Sequence, residues 1–147
     1  MYKSKKIFLI EDDADEQLFF TMAIKEIDSK LKYTAACNGK EALEKLKSQN
    51  VLPDIIFLDL EMPVMNGYTF LTEIKRDINL QDIPVVVLTS LQDYSVAERT
   101  RKLGASAFLT KPVNLSLLQA KLFYFLSFDF SVINKSTKQL FFTELSA

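Results

Sequence analysis

The stretch Asp54-Ile55-Ile56-Phe57-Leu58-Asp59-Leu60-Glu61-Met62-Pro63 constrains this chain more than any other. Ile55, Ile56, Phe57 and Leu58 form an apolar, partly β-branched run, which suits a parallel strand covered on both faces. Pro63 and the Asn66-Gly67 pair cannot continue that strand, so the chain must turn. Asp59 therefore stands at the carboxyl end of a central strand. Open α/β sheets bind their ligands along that edge.

The same alternation recurs along the chain. Ile7-Phe8-Leu9-Ile10 reads as a first strand that ends on Glu11, Asp12 and Asp13. Asp13 or Asp15 is placed to cap a helix in which Leu18, Phe19, Met22, Ala23 and Ile27 recur at helical spacing. Residues 33–37 read as a second strand, less apolar and so nearer an edge. Asn38-Gly39 reads as a turn, and Ala42, Leu43 and Leu46 mark a second helix ending near Asn50. Phe70, Leu71 and Ile74 give a third helix. Val85-Val86-Val87-Leu88 is the most strand-like run and closes at Thr89-Ser90. Val96, Ala97 and Leu103 lie on a fourth helix, stopped by Gly104. Ala107-Phe108-Leu109-Thr110 is a fifth strand, closed by Lys111-Pro112, and Asn114 is placed to cap a fifth helix running to about Leu126.

Strands joined by helices imply a parallel sheet with right-handed crossovers. The carboxyl ends of such strands lie along one edge. Glu11 with Asp12, Asp59, Thr89 with Ser90, and Lys111 each fall at the end of a different strand. They are expected to converge there.

Composition narrows what this rim can do. A length of 147 residues fits one domain, and an apolar content of 48% supports a real core. The net charge of −1 gives no bias toward nucleic acid or an anionic membrane. No apolar run is long enough to span a bilayer. The basic start before Ile7 resembles a signal peptide, but Glu11, Asp12 and Asp13 interrupt its apolar run too early, so the expected location is cytoplasmic. The lone cysteine, Cys37, has no internal disulfide partner, fits a reducing compartment, and is read as a small buried residue. The chain has no histidine, which excludes Ser-His-Asp and Cys-His nucleophilic systems and His-ligated metal sites. It also means that the chain is not itself a histidine phosphate donor.

Several carboxylates held close together repel one another unless a cation compensates. Oxygen-only ligands favour a hard metal, Mg²⁺ or Mn²⁺. Lys111 supplies a point charge, and Thr89 or Ser90 a hydroxyl donor, for a phosphoryl group. An Asp carboxylate beside Mg²⁺ and Lys is an established covalent phosphoryl acceptor.

On Ile10-Glu11-Asp12-Asp13, the run from Phe57 through Pro63, Asn66-Gly67, Leu88-Thr89-Ser90, Gly104-Ala105-Ser106-Ala107 and Lys111-Pro112, the chain resembles the receiver domains of two-component response regulators. The resemblance covers residues 5–127 and leaves 128–147 as a C-terminal extension with no separate output domain. It implies a flavodoxin-like, doubly wound α/β fold: a five-stranded parallel sheet of order 2-1-3-4-5 with five helices. It implies Asp59 as phosphoacceptor and Glu11 and Asp12 as the acidic pair, with Asp12 the more direct Mg²⁺ ligand. The backbone carbonyl of Glu61 would join the metal. Thr89 would contact the phosphoryl group, Lys111 would pair with it through a cis Lys111-Pro112 bond, and Phe108 would stand where the family often has a switch tyrosine. Asp13 is expected near the rim without a required role.

The implied function is a phosphorylation-controlled signalling module without independent substrate turnover. Its donor would be a sensor histidine kinase or a histidine phosphotransfer protein. Its output would be a downstream protein target on the face of the fourth helix, fifth strand and fifth helix. A homodimer through that face or through the aromatic tail (Phe123, Tyr124, Phe125, Phe128, Phe130, Phe141 and Phe142) is a further expectation. Glu61 could orient a water for phosphoryl hydrolysis, and Leu91 could shield the site. A second class stays open: a Mg²⁺-dependent aspartyl-nucleophile phosphatase of the haloacid-dehalogenase type, for which Glu61 would be the second acid.

Overall fold

The apolar runs become strands buried on both sides, and the periodic segments become the helices that cover them. The computed structural model describes residues 5–49, 51–90 and 93–130. Along it run β1 (Ile7–Ile10), α1 (Ala14–Ile27), β2 (Tyr33–Ala36), α2 (Gly39–Ser48), β3 (Ile55–Asp59), α3 (Gly67–Arg76), β4 (Val85–Thr89), α4 (Tyr94–Lys102), β5 (Ala107–Thr110) and α5 (Leu115–Ser127). The sheet is parallel throughout, in the order β2-β1-β3-β4-β5. This is the expected doubly wound order.

Period-two alternation divides the core. Phe8, Ile10, Ile56, Leu58, Val85, Val87 and Phe108 point to the face covered by α2, α3 and α4. Ile7, Leu9, Ile55, Phe57, Val86, Leu88 and Leu109 point to the face covered by α1 and α5. β1, β3 and β4 are buried at every position, whereas edge strand β2 is only partly covered. Each fully buried Leu, Ile or Phe contributes about 1.5–3 kcal/mol, so strands apolar on both faces belong at the centre.

Caps start the helices where the sequence suggests. Asp13 accepts from the amides of Asp15 and Glu16 at the start of α1, and Asn114 accepts from Leu117 N at the start of α5. Asn38 and Asn66 do more than turn the chain: each caps the following helix, accepting from Glu41 N and Thr69 N. Gly104 follows α4 with φ +105°, a left-handed conformation suited to glycine.

Three expectations need correction. On α1 the buried residues are Phe20, Ala23 and Ile24, while Leu18 is 60% exposed and Met22 also faces out. The helix is apolar around most of its circumference, so spacing could not select the face; packing against α5 did. Cys37 is exposed, because it follows the edge strand just where the chain turns to cap α2. Among the described residues no peptide bond is cis, so Lys111-Pro112 is trans, the isomer that X-Pro bonds prefer by about 0.5–1 kcal/mol.

The chain beyond α5 is still part of the fold as far as it is described. Phe128 and Phe130 pack against the α1–α5 side of the core, and their rings lie 5.0 Å apart. Lys5 Nζ donates to the Phe128 carbonyl at 2.7 Å and lies 5.5 Å from the Phe130 ring centroid. Core packing thus extends past residue 127. Phe141 and Phe142 lie outside the described residues, as does Leu91.

Candidate phosphoacceptor and metal site

Strand register assembles the site. Ile10 pairs with Leu58, which sets Glu11 beside Asp59 one residue further on. Asp59 pairs with Leu88, and Thr89 with Thr110, so Thr89 and Lys111 follow on the same rim. The Lys111 amide donates to the Thr89 carbonyl at 2.7 Å, carrying β5's direction one residue past the strand. After β1 the chain moves out to β2 on one side, and after β3 it moves out to β4 on the other, so the direction reverses between β1 and β3. The crevice at that switch point is where α/β sheets bind ligands.

The side chains converge. Single carboxylate oxygens of Glu11, Asp12 and Asp59 lie within 4.8 Å of one another. Lys111 Nζ lies 2.9 Å from Glu11 Oε1, 2.9 Å from Glu16 Oε2 and 3.3 Å from Asp59 Oδ1. Asp12, Asp59, Glu61, Thr89, Ser90 and Lys111, with Asp13 and Glu16, line a polar cleft of about 180 Å³. Glu11, Asp59 and Thr89 are buried, while Asp12 and Glu61 are exposed. The expected rim residues are thus together.

The loop after β3 is held close to Asp59. Glu61 N donates weakly to Asp59 Oδ1 at 3.4 Å. Gly67 N donates to the Leu60 carbonyl at 2.9 Å, and a Cβ on Gly67 would stand 2.6 Å from the Asp59 carbonyl oxygen. Asn66-Gly67 therefore brings the start of α3 against the end of β3. At the tip, Val64 adopts φ 68°, an uncommon conformation for a β-branched residue.

Burial sets the electrostatics. It pushes Glu11 up to about 8, with Lys111 opposing and Asp59 reinforcing the shift. Burial also raises Asp59, against the charge and hydrogen bonds of Lys111. Burial works to lower the Lys111 ammonium, but hydrogen bonds to Glu11 and Glu16 and the charge of Asp59 hold it above its ordinary value. Two buried carboxyls whose acidity burial weakens, one exposed carboxyl group and only oxygen donors fit a hard divalent cation, which would favour ionisation of all three.

Phe108 is wholly buried, in the same core cluster as Ala97 of α4. Its ring already lies inward. Two contacts escaped the sequence reading. Glu16 reaches Lys111, and Gln17 donates through Nε2 to the Glu11 carbonyl. The available signal for Glu16 was its place in the first turn of the helix that follows the acidic end of β1.

Comparison with known proteins agrees with this geometry. Residues 7–123 match the family described as response regulator receiver domain. The chain is 37% identical over 127 residues to the transcriptional regulatory protein CrdR of Helicobacter pylori, covering 85% of this chain and 56% of CrdR. It thus spans little more than half of that relative. The phosphorylated cyanobacterial phytochrome response regulator RcpA is similar in structure, with TM-score 0.77 and 30% identity over 90% of this chain and 98% of RcpA. The Mn²⁺-bound form of response regulator Rcp1 matches with TM-score 0.70 and 28% identity, over 88% of this chain and 97% of Rcp1. These likenesses give no support to a haloacid-dehalogenase-type phosphatase. Among the described residues, no helix is long and apolar enough to cross a membrane.

Proposed function

Because the chain belongs to the response regulator receiver family, and so serves two-component signalling, we propose that it takes a phosphoryl group from a phosphohistidine onto Asp59. An Asp59 carboxylate oxygen attacks phosphorus. A P–O bond forms, the P–N bond to the donor histidine breaks, and the leaving nitrogen keeps the electron pair. The donor is a sensor histidine kinase or a histidine phosphotransfer protein.

Glu11, Asp12 and Asp59, with the Glu61 carbonyl, would hold Mg²⁺, or Mn²⁺ in its place, and the chemistry supplied there would be neutralisation of charge on the Asp59 carboxylate and the incoming phosphoryl group. Lys111 pairs with a phosphoryl oxygen, and the Thr89 hydroxyl donates to another. Glu61, which lines the cleft, orients in this reading the water that later hydrolyses the phosphoaspartate.

Phosphorylation shifts the balance between two arrangements of the face made by α4, β5 and α5. Phe108 takes part through packing alone, since it has no hydroxyl. That face, or the exposed Phe123 and Tyr124 of α5, receives a downstream protein or a second copy of this chain. The domain works in the cytoplasm and turns over no separate substrate.

The observation that carries this reading is the meeting of three carboxylate oxygens within 4.8 Å with the Lys111 ammonium 3.3 Å from Asp59. Intact-protein mass after incubation with phosphoramidate, with and without Mg²⁺, tests it. One Mg²⁺-dependent phosphoryl adduct is expected, and none in Asp59→Asn. An adduct that persists in Asp59→Asn would assign the acceptor elsewhere.

A further inference from the structure

We infer that Glu16 is a positioning residue that restrains phosphorylation of Asp59, by holding the Lys111 ammonium toward α1 and by setting a negative charge where the phosphoryl group must enter. The inference rests on the phosphoacceptor chemistry proposed above.

Glu16 is the third helical residue after the Asp13 cap. A glutamate there usually reaches back to the amide of the capping residue. Here Asp13 N instead donates to Glu11 Oε2 at 3.3 Å. The Glu16 carboxylate goes to Lys111 Nζ, 95 positions along the chain, at 2.9 Å. Its backbone N–H donates a hydrogen bond to Asp13 Oδ1 at 3.1 Å, which fixes the backbone there. Glu16 is thus diverted from a local cap to the site.

An ammonium has three donors. On Lys111 the three neighbouring carboxylates are Glu11, Glu16 and Asp59, and the two glutamates are nearer, 2.9 Å each against 3.3 Å for Asp59. Two of its donors are taken by the glutamates, and Asp59 is left a longer ion pair, before a phosphoryl group arrives. Glu11 is 3% exposed and enclosed, whereas Glu16 is 46% exposed and free to turn into solvent. Glu16 also lines the same cleft as Asp59, Thr89 and Ser90. Its charge therefore opposes an entering anion. Competition for Lys111 and repulsion act in the same direction. A contact this exposed is worth little to folding, so its effect belongs to the reaction.

The test uses the full chain with phosphoramidate and Mg²⁺, following adduct formation by intact mass. Glu16→Gln keeps the size and removes the charge. It is expected to take up phosphoryl about threefold to tenfold faster than the parent. Glu16→Asp keeps a charge but shortens the reach, and is expected to fall between them. Raising the salt concentration should speed the parent more than Glu16→Gln, because it screens the repulsion that the variant lacks. A helix-capping role alone would move the melting temperature and leave these rates unchanged. If the parent labels and Glu16→Gln labels at the same rate or slower, this inference is overturned and the phosphoacceptor reading stands. If the parent takes no phosphoryl group, both are overturned.

Discussion

The Lys111 ammonium and Glu11 Oε1 lie 2.9 Å apart, although 100 positions separate the two residues in the chain. One closes β1 and the other closes β5, the outermost strand on that side. The long lysine stem spans the intervening strand ends. The contact ties the first and last thirds of the domain to one site, and it keeps an ammonium beside two buried carboxyls that burial drives toward neutrality.

That balance has a pH signature. Glu11 holds its proton up to about 8 in the folded chain, against an ordinary value of 4.5. Between those values the folded state keeps a proton that the unfolded chain releases. The stability from this group is therefore complete below 4.5 and lost as pH rises through about 8. Asp59 shifts in the same direction. The metal-free melting temperature is expected to fall from about pH 5 to about pH 8, and Glu11→Gln should flatten that slope. Added Mg²⁺ should restore stability most at the alkaline end. Thermal melts with chelator and with Mg²⁺ check this; a slope unchanged in Glu11→Gln would assign the pH dependence to other groups.

Val64 stands at φ 68° in the loop after β3 and is 79% exposed. It bears backbone strain with little packing in return. Asparagine tolerates this conformation far better. Val64→Asn is expected to stabilise the chain by about 1 kcal/mol, read as a higher urea midpoint with an unchanged slope. A lower midpoint would mean that the valine side chain makes a contribution that outweighs its strain.

Gly67 has the opposite sensitivity. An added Cβ would meet the Asp59 carbonyl oxygen at 2.6 Å and Leu60 Cα at 2.7 Å, both backbone atoms that cannot turn aside. Gly67→Ala is expected to cost about 1–3 kcal/mol. It should also slow Asp59 labelling, because the strain falls on the peptide of Asp59 itself. Chemical denaturation and the phosphoramidate assay read the two effects separately. Unchanged stability would show that the start of α3 can move away from β3.

Much of this was legible along the chain. Ile55, Ile56 and Phe57, followed by Leu58 and Asp59, announced a buried strand ending on a carboxylate, because no soluble edge strand is apolar at every position. Asp13, Asn114 and Gly104 marked helix ends, because capping is local chemistry between residues a few positions apart. Other features resisted. On α1, Leu18 and Phe20 are equally apolar, and only the surface of α5 distinguishes them. Cys37 has a buried residue's chemistry at an exposed place. Glu16 looked like one more acid in a helix's first turn, since its partner lies 95 positions away.

The sequence by itself determined the alternation of strands and helices, the residues at each strand end, and so the kind of chemistry available at the rim. These follow from side-chain polarity at successive positions and from short-range capping. Only the tertiary structure decided which of those residues touch. Strand register set Glu11 beside Asp59, packing between α1 and α5 chose the buried face of α1, and the fold carried Lys111 to Glu16 as well as to Asp59. Such contacts join distant parts of the chain, and their geometry is fixed only when the whole sheet has closed around its core.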